Sequence, residues 1–155
     1  MTQDVQILLV EDNASDAEMT IRALSKITMA SRLLRVKDGA EALDFLFAEG
    51  AYSDRSVGAT PKLVILDLKL PKVSGKEILA RIKSDERTRK IPVVILSSSR
   101  EALDVKECYD LGANGYVVKP VESGAFSDAI AELGMYWTVI NEPPQPRVLL
   151  KQVTL

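Results

Sequence analysis

Short apolar runs alternate with amphipathic stretches along the chain. Val5–Val10, Leu63–Leu66 and Pro92–Leu96 are continuous apolar segments bounded by polar residues, which predicts buried strands. Leu33–Val36 and Tyr116–Val118 are weaker strands of the same kind. Continuous apolar character, rather than alternation, points to a parallel sheet covered on both faces.

Helical spacing fills the intervals. Asn13 caps a helix reaching about Ile27, with Ala17, Ile21 and Leu24 on one face. Asp38 and Glu41 form a capping-box variant ahead of Ala42, Leu43, Leu46 and Phe47. Ser74 to Ser84 places Ile78, Leu79 and Ile82 inward, and Arg100 to Leu111 ends at Gly112. A fifth helix runs from about Ser123 towards Ile140. Five β-α units predict an α/β fold, a doubly wound five-stranded parallel sheet of order 2-1-3-4-5, flavodoxin-like (βα)5. One domain over residues 1–140 and a C-terminal tail over 141–155 are expected. Glu49–Pro61 is an unusually long loop, and Pro143, Pro144 and Pro146 open the tail.

Composition narrows the chemistry. The 155 residues carry a net charge of −2, so no general nucleic-acid footprint is expected. With one cysteine, Cys108, and no histidine, internal disulfides, ordinary zinc sites and Ser-His or Cys-His catalysis are excluded. No signal peptide and no apolar run of about 20 residues suggests membrane passage, so a cytoplasmic protein is expected.

In an open α/β sheet, ligands sit beyond the carboxyl ends of the strands at the switch point. Strand one ends in Glu11-Asp12 and strand three in Asp67, which should bring three carboxylates together. Close like charges require proton uptake or a divalent cation, and an all-oxygen set suits Mg2+. An alternative is that Glu11 and Asp12 only cap the first helix. Ser97, at the end of strand four, offers a hydroxyl, and Lys119, after strand five, offers a positive charge. A carboxylate nucleophile with such neighbours is equipped for phosphoryl transfer, which needs positioning and charge neutralisation more than covalent help.

These residues resemble the receiver-domain family of two-component signalling. The resemblance spans about Val5 to Leu133. It rests on Leu9-Val10-Glu11-Asp12-Asn13, Leu66-Asp67-Leu68-Lys69-Leu70-Pro71, Gly75, Ser97 and Gly115-Tyr116-Val117-Val118-Lys119-Pro120. It implies that Asp67 accepts a phosphoryl group. Asp12, Asp67 and the Lys69 backbone carbonyl would hold Mg2+, with Glu11 assisting through water. Ser97 and Lys119 would contact the phosphoryl group, and Tyr116 would turn inward with Ser97. Lys69 and Ser99 would tune dephosphorylation, including self-catalysed hydrolysis. The protein would thus be a signalling phosphoacceptor rather than an enzyme.

The long loop, Asp110-Leu111-Gly112-Ala113-Asn114 and Tyr136-Trp137 look like the phytochrome-associated branch. That branch implies a homodimer and a sensor histidine kinase as partner, a phytochrome-type photoreceptor among the choices. Val105 and Tyr109, spaced i and i+4, are scattered surface residues or a dimer contact. Tyr136 and Trp137 are core packing or a dimer anchor. The apolar residues of Arg147–Leu155 would pack on the domain or on a partner. No DNA-binding output is expected. A dedicated phosphatase would need a second acid where Lys69 stands. A receiver fold that works without phosphate remains the alternative.

Overall fold

The computed structural model describes residues 4–119 and 123–144. The predicted tail of Arg147–Leu155, together with Pro146 and Pro120, lies outside the described residues.

Five parallel strands, β1 (Ile7–Val10), β2 (Leu33–Val36), β3 (Leu63–Leu66), β4 (Val93–Ser97) and β5 (Gly115–Val118), form one sheet in the order β2-β1-β3-β4-β5. β1, β3 and β4 are buried along their whole length, as continuous apolar runs between two helical layers require. One apolar cluster packs Leu8, Val10, Leu66 and Ile95 against Ile78, Leu79 and Ile82. The other packs Ile7, Leu9, Ile65 and Leu96 against Leu24, Phe126 and Ile130.

The helices are α1 (Ala14–Leu24), α2 (Gly39–Leu46), α3 (Gly75–Ser84), α4 (Ala102–Asp110) and α5 (Ser123–Met135). Three begin at side-chain caps, of which the sequence marks Asn13 and Asp38. Asn13 accepts from Asp16 N–H, Asp38 from Glu41 N–H and Ser74 from Glu77 N–H. The box at Asp38 is not reciprocal, because Glu41 Oε1 accepts from Lys37 N–H instead.

Helix ends depart from the sequence expectation. α1 stops at Leu24, three residues before Ile27; Ser25 Oγ donates to the Ile21 carbonyl at 2.7 Å, so a side chain takes over at the terminus. α5 is α-helical only to Met135 and continues to Ile140 as a π-helical turn. Strand bounds move by one or two residues: β1 begins at Ile7 with Val5 still buried, and β4 extends through Ser97. α4 is shorter than predicted at both ends, but Cys108 faces the core as expected.

The long loop is anchored rather than free. It contains a short 3-10 turn at Gly50–Tyr52. Arg55 is buried, its guanidinium 3.8 Å from the Phe45 ring centroid, and it donates to the carbonyls of Phe45 and Ala59. Desolvation holds the Arg55 pKa below the ordinary arginine value. A cation over a ring and hydrogen-bonded to two carbonyls accounts for its burial.

Candidate functional site

Register brings the acids together. Val10 pairs with Leu66 in the β1–β3 ladder, so the next residues, Glu11 and Asp67, emerge side by side. Asp67 N–H donates to the Val10 carbonyl, and Glu11 N–H to that of Val36. Ser97 ends β4, and Lys119 N–H donates to the Ser97 carbonyl at 2.8 Å. All these groups therefore hang from the carboxyl edge of the sheet.

Glu11, Asp12 and Asp67 each offer a carboxylate oxygen, and the three oxygens lie within 4.8 Å of one another. Glu11 and Asp67 are buried, and Asp12 is exposed. Burial pushes the Glu11 pKa up to about 7; the charge of Asp67 adds to this and Lys119 opposes it. Glu11 Oε2 accepts from Asn13 N–H. Its Oε1 lies 2.6 Å from Lys119 Nζ as an ion pair without hydrogen-bond alignment. A buried oxygen with unused lone pairs, in an all-oxygen cluster, fits a hard divalent cation.

Lys119 is buried among acids. Its Nζ donates to Asp16 Oδ2 at 3.0 Å and to Asp67 Oδ2 at 3.2 Å. Burial works against its charge, but the contacts with Glu11 and Asp16 and the charge of Asp67 outweigh burial. They hold the ammonium above the ordinary lysine value. The lysine therefore carries its positive charge into the pocket.

Lys69 is exposed, and its N–H lies 3.4 Å from Asp67 Oδ1. Ser97 is buried, and its hydroxyl oxygen accepts from Ser99 N–H at 3.2 Å. Tyr116 is half-buried and donates to the Ser99 carbonyl at 2.9 Å, so the Ser97–Ser99 turn and Tyr116 are already linked. Val105 is half-buried and Tyr109 exposed on α4. Trp137 packs on the second core cluster, while Tyr136 is exposed and meets it edge to face at 5.0 Å.

Residues 7–131 match the response regulator receiver domain family. This chain belongs to that family. Among relatives of this receiver domain, the probable methanogenesis regulatory protein FilR2 of Methanothrix harundinacea is 40% identical over 141 residues, 90% of this chain and 88% of that protein. Response regulator Rcp1 of Synechocystis sp. is 39% identical over 113 residues, 73% of this chain and 75% of that protein. A Mn2+-bound form of response regulator Rcp1 shares the receiver fold with a TM-score of 0.81 at 33% identity, over 90% of this chain and 98% of that one. The phosphorylated cyanobacterial phytochrome response regulator RcpA gives a TM-score of 0.82 at 37% identity, over 90% and 97% of the two chains. The receiver domain's similarity is thus to phytochrome-associated response regulators.

Sequence reasoning missed two residues of the receiver site. Arg35 Nε donates to the Glu11 carbonyl at 3.0 Å and Arg35 Nη2 to the Asp12 carbonyl at 3.2 Å, pinning the backbone of the acid pair. A lone charge in the apolar β2 segment Leu-Leu-Arg-Val was its signal. Asp16 reaches Lys119 from α1; its spacing of four from Asp12 was the available clue. Among the described residues, no helix is long and apolar enough to cross a membrane.

Proposed function

We propose that this receiver domain accepts a phosphoryl group on Asp67 from a sensor histidine kinase in a Mg2+-dependent reaction. The observation that carries this reading is the convergence of Glu11, Asp12 and Asp67 within 4.8 Å, with the buried Lys119 ammonium paired to Glu11 and Asp67. An Asp67 carboxylate oxygen attacks phosphorus, a P–O bond forms, and the P–N bond to the donor imidazole breaks with its electron pair leaving on nitrogen. Asp12, Asp67 and the Lys69 carbonyl would hold the cation, with Glu11 assisting through water. When bound, Mg2+ supplies neutralisation of the crowded negative charge. The protein's own groups do the rest. Lys119 pairs with a phosphoryl oxygen, and the Ser97 hydroxyl donates to another.

Phosphorylation then acts as a population shift. Hydrogen bonds to charged groups contribute about 1.5–3 kcal/mol each. Moving an equilibrium from 1:99 to 99:1 takes about 5.5 kcal/mol. Ser97 and Lys119 together supply much of that. Tyr116 follows Ser97 and passes the change to the α4-β5-α5 face, with Lys69 and Ser99 setting the lifetime of the acyl phosphate. The protein acts in the cytoplasm. Likeness to phytochrome-associated regulators supports a phytochrome-type kinase as donor. The exposed Tyr109 and Tyr136 support a homodimer contact, with the half-buried Val105 and Trp137 as its proposed flanks.

Incubation with Mg2+ and a small acyl phosphate, read by intact mass, tests the reading. Gain of one phosphoryl group that Mg2+ removal prevents is expected. A folded protein that gains none would instead be a receiver fold that works without phosphate.

A further inference from the structure

We propose that Asp16 is a positioning residue: it takes a share of the Lys119 ammonium that Glu11 and Asp67 would otherwise divide between them, and so keeps those carboxylates available to a divalent cation. This rests on reading Glu11, Asp12 and Asp67 as the cation site.

Three carboxylates compete for one ammonium. Lys119 Nζ lies 2.6 Å from Glu11, 3.0 Å from Asp16 and 3.2 Å from Asp67. Of its three donors, two go to Asp16 and Asp67, and Glu11 meets the ammonium as an ion pair. Two of the three carboxylates, Glu11 and Asp67, belong to the group whose oxygens converge within 4.8 Å, and among the described residues Asp16 is not in that group. Lys119 and a divalent cation therefore draw on the same two carboxylates, whereas Asp16 serves the lysine alone.

Asp16 is built to stay there. It sits in the first turn of α1, where its N–H donates to Asn13 Oδ1 at 2.9 Å and its carbonyl accepts from Thr20 Oγ1 at 2.9 Å. Its carboxylate is only part-exposed, while the lysine it meets, 103 residues away, is buried. An acid in a first helical turn also favours the helix dipole, and that alone would explain its presence. The dipole does not explain why its oxygen is turned onto Lys119. Loss of the Asp16 charge leaves the whole ammonium for Glu11 and Asp67, where it occupies lone pairs the cation needs.

The test is calorimetric titration of the full chain with Mg2+ at one pH. The four proteins are the unchanged chain, Asp16→Asn, Lys119→Met and the double variant. Asn keeps the size and acceptor oxygen, and Asp16→Ser serves if it fails to fold. Asp16→Asn is expected to weaken Mg2+ binding about three- to tenfold, within the coupling range of residues in contact. In the Lys119→Met background the same change is expected to do nothing. Equal loss in both backgrounds would make Asp16 merely one more negative charge and overturn the proposal, as would no loss in either. Absence of Mg2+ binding by the unchanged chain would overturn the cation reading itself, a distinct result.

Discussion

Lys76 Nζ lies 2.7 Å from Asp104 Oδ1, which ties the first turn of α3 to the first turn of α4. The same ammonium lies 2.7 Å from Glu107 Oε2. Asp104 has a second task, because its Oδ2 accepts from Ser99 Oγ at 2.5 Å. Ser99 in turn offers its carbonyl to Tyr116 and its N–H to Ser97. A connected path therefore runs from the hydroxyl beside Asp67 to the α3–α4 contact.

Asp104→Ala removes the acceptor that fixes Ser99 Oγ and half of the grip on Lys76. The Ser97–Ser99 turn should then move more easily. With fluorotyrosine at 116, the 19F spectrum of the unphosphorylated variant is expected to shift towards that of the phosphorylated parent. A spectrum identical to the unphosphorylated parent would show that Asp104 does not restrain the turn.

Gly75 is a steric requirement of the phosphoacceptor loop. A Cβ there would meet the Asp67 carbonyl oxygen at 2.2 Å and Leu68 Cα at 2.6 Å, and both are backbone atoms that cannot rotate away. Gly75→Ala is expected to cost about 1–3 kcal/mol and to slow phosphoryl uptake by displacing Asp67. Gly124→Ala is the control, because nothing lies within 4 Å of its Cβ position. It should leave stability unchanged or raise it by about 0.4–1 kcal/mol. Urea unfolding of both variants checks the pair; equal effects would contradict the steric argument.

Tyr52 provides a pH signature for the long loop. Its hydroxyl donates to Glu41 Oε2 at 2.8 Å; burial first, and then Glu41, push its pKa up from 10.0 to about 12. The folded pKa is raised, so its contribution to stability is fully present below about pH 10 and is lost as pH rises towards 12. Ultraviolet titration should show one phenolate appearing near pH 12 that Tyr52→Phe removes. Titration of every tyrosine near its ordinary value would refute it.

The fold and the central site were legible because both depend on local patterns. Apolar runs marked the strands, and polar residues just past them marked the sheet edge, so Glu11, Asp12, Asp67, Ser97 and Lys119 could be placed from strand order alone. Residues whose partners lie far along the chain were not legible. Asp16 meets Lys119 only because α1 sits over the carboxyl edge near the end of β5, and Lys76 meets Asp104 only through the α3–α4 approach. Nothing local to Arg55 marks it for burial, because the Phe45 ring it covers belongs to α2. The end of α1 was misplaced because Ser25, a polar surface residue by pattern, caps the Ile21 carbonyl.

The most direct test is the position of the phosphoryl group itself. The chain is phosphorylated with a small acyl phosphate and Mg2+, reduced with borohydride, and mapped by peptide mass. Reductive cleavage of an aspartyl phosphate leaves homoserine, and that residue is expected at position 67 alone, with none in Asp67→Asn. Homoserine at position 12 or 16, or none in folded protein that binds Mg2+, would contradict the assignment of Asp67 as the phosphoacceptor.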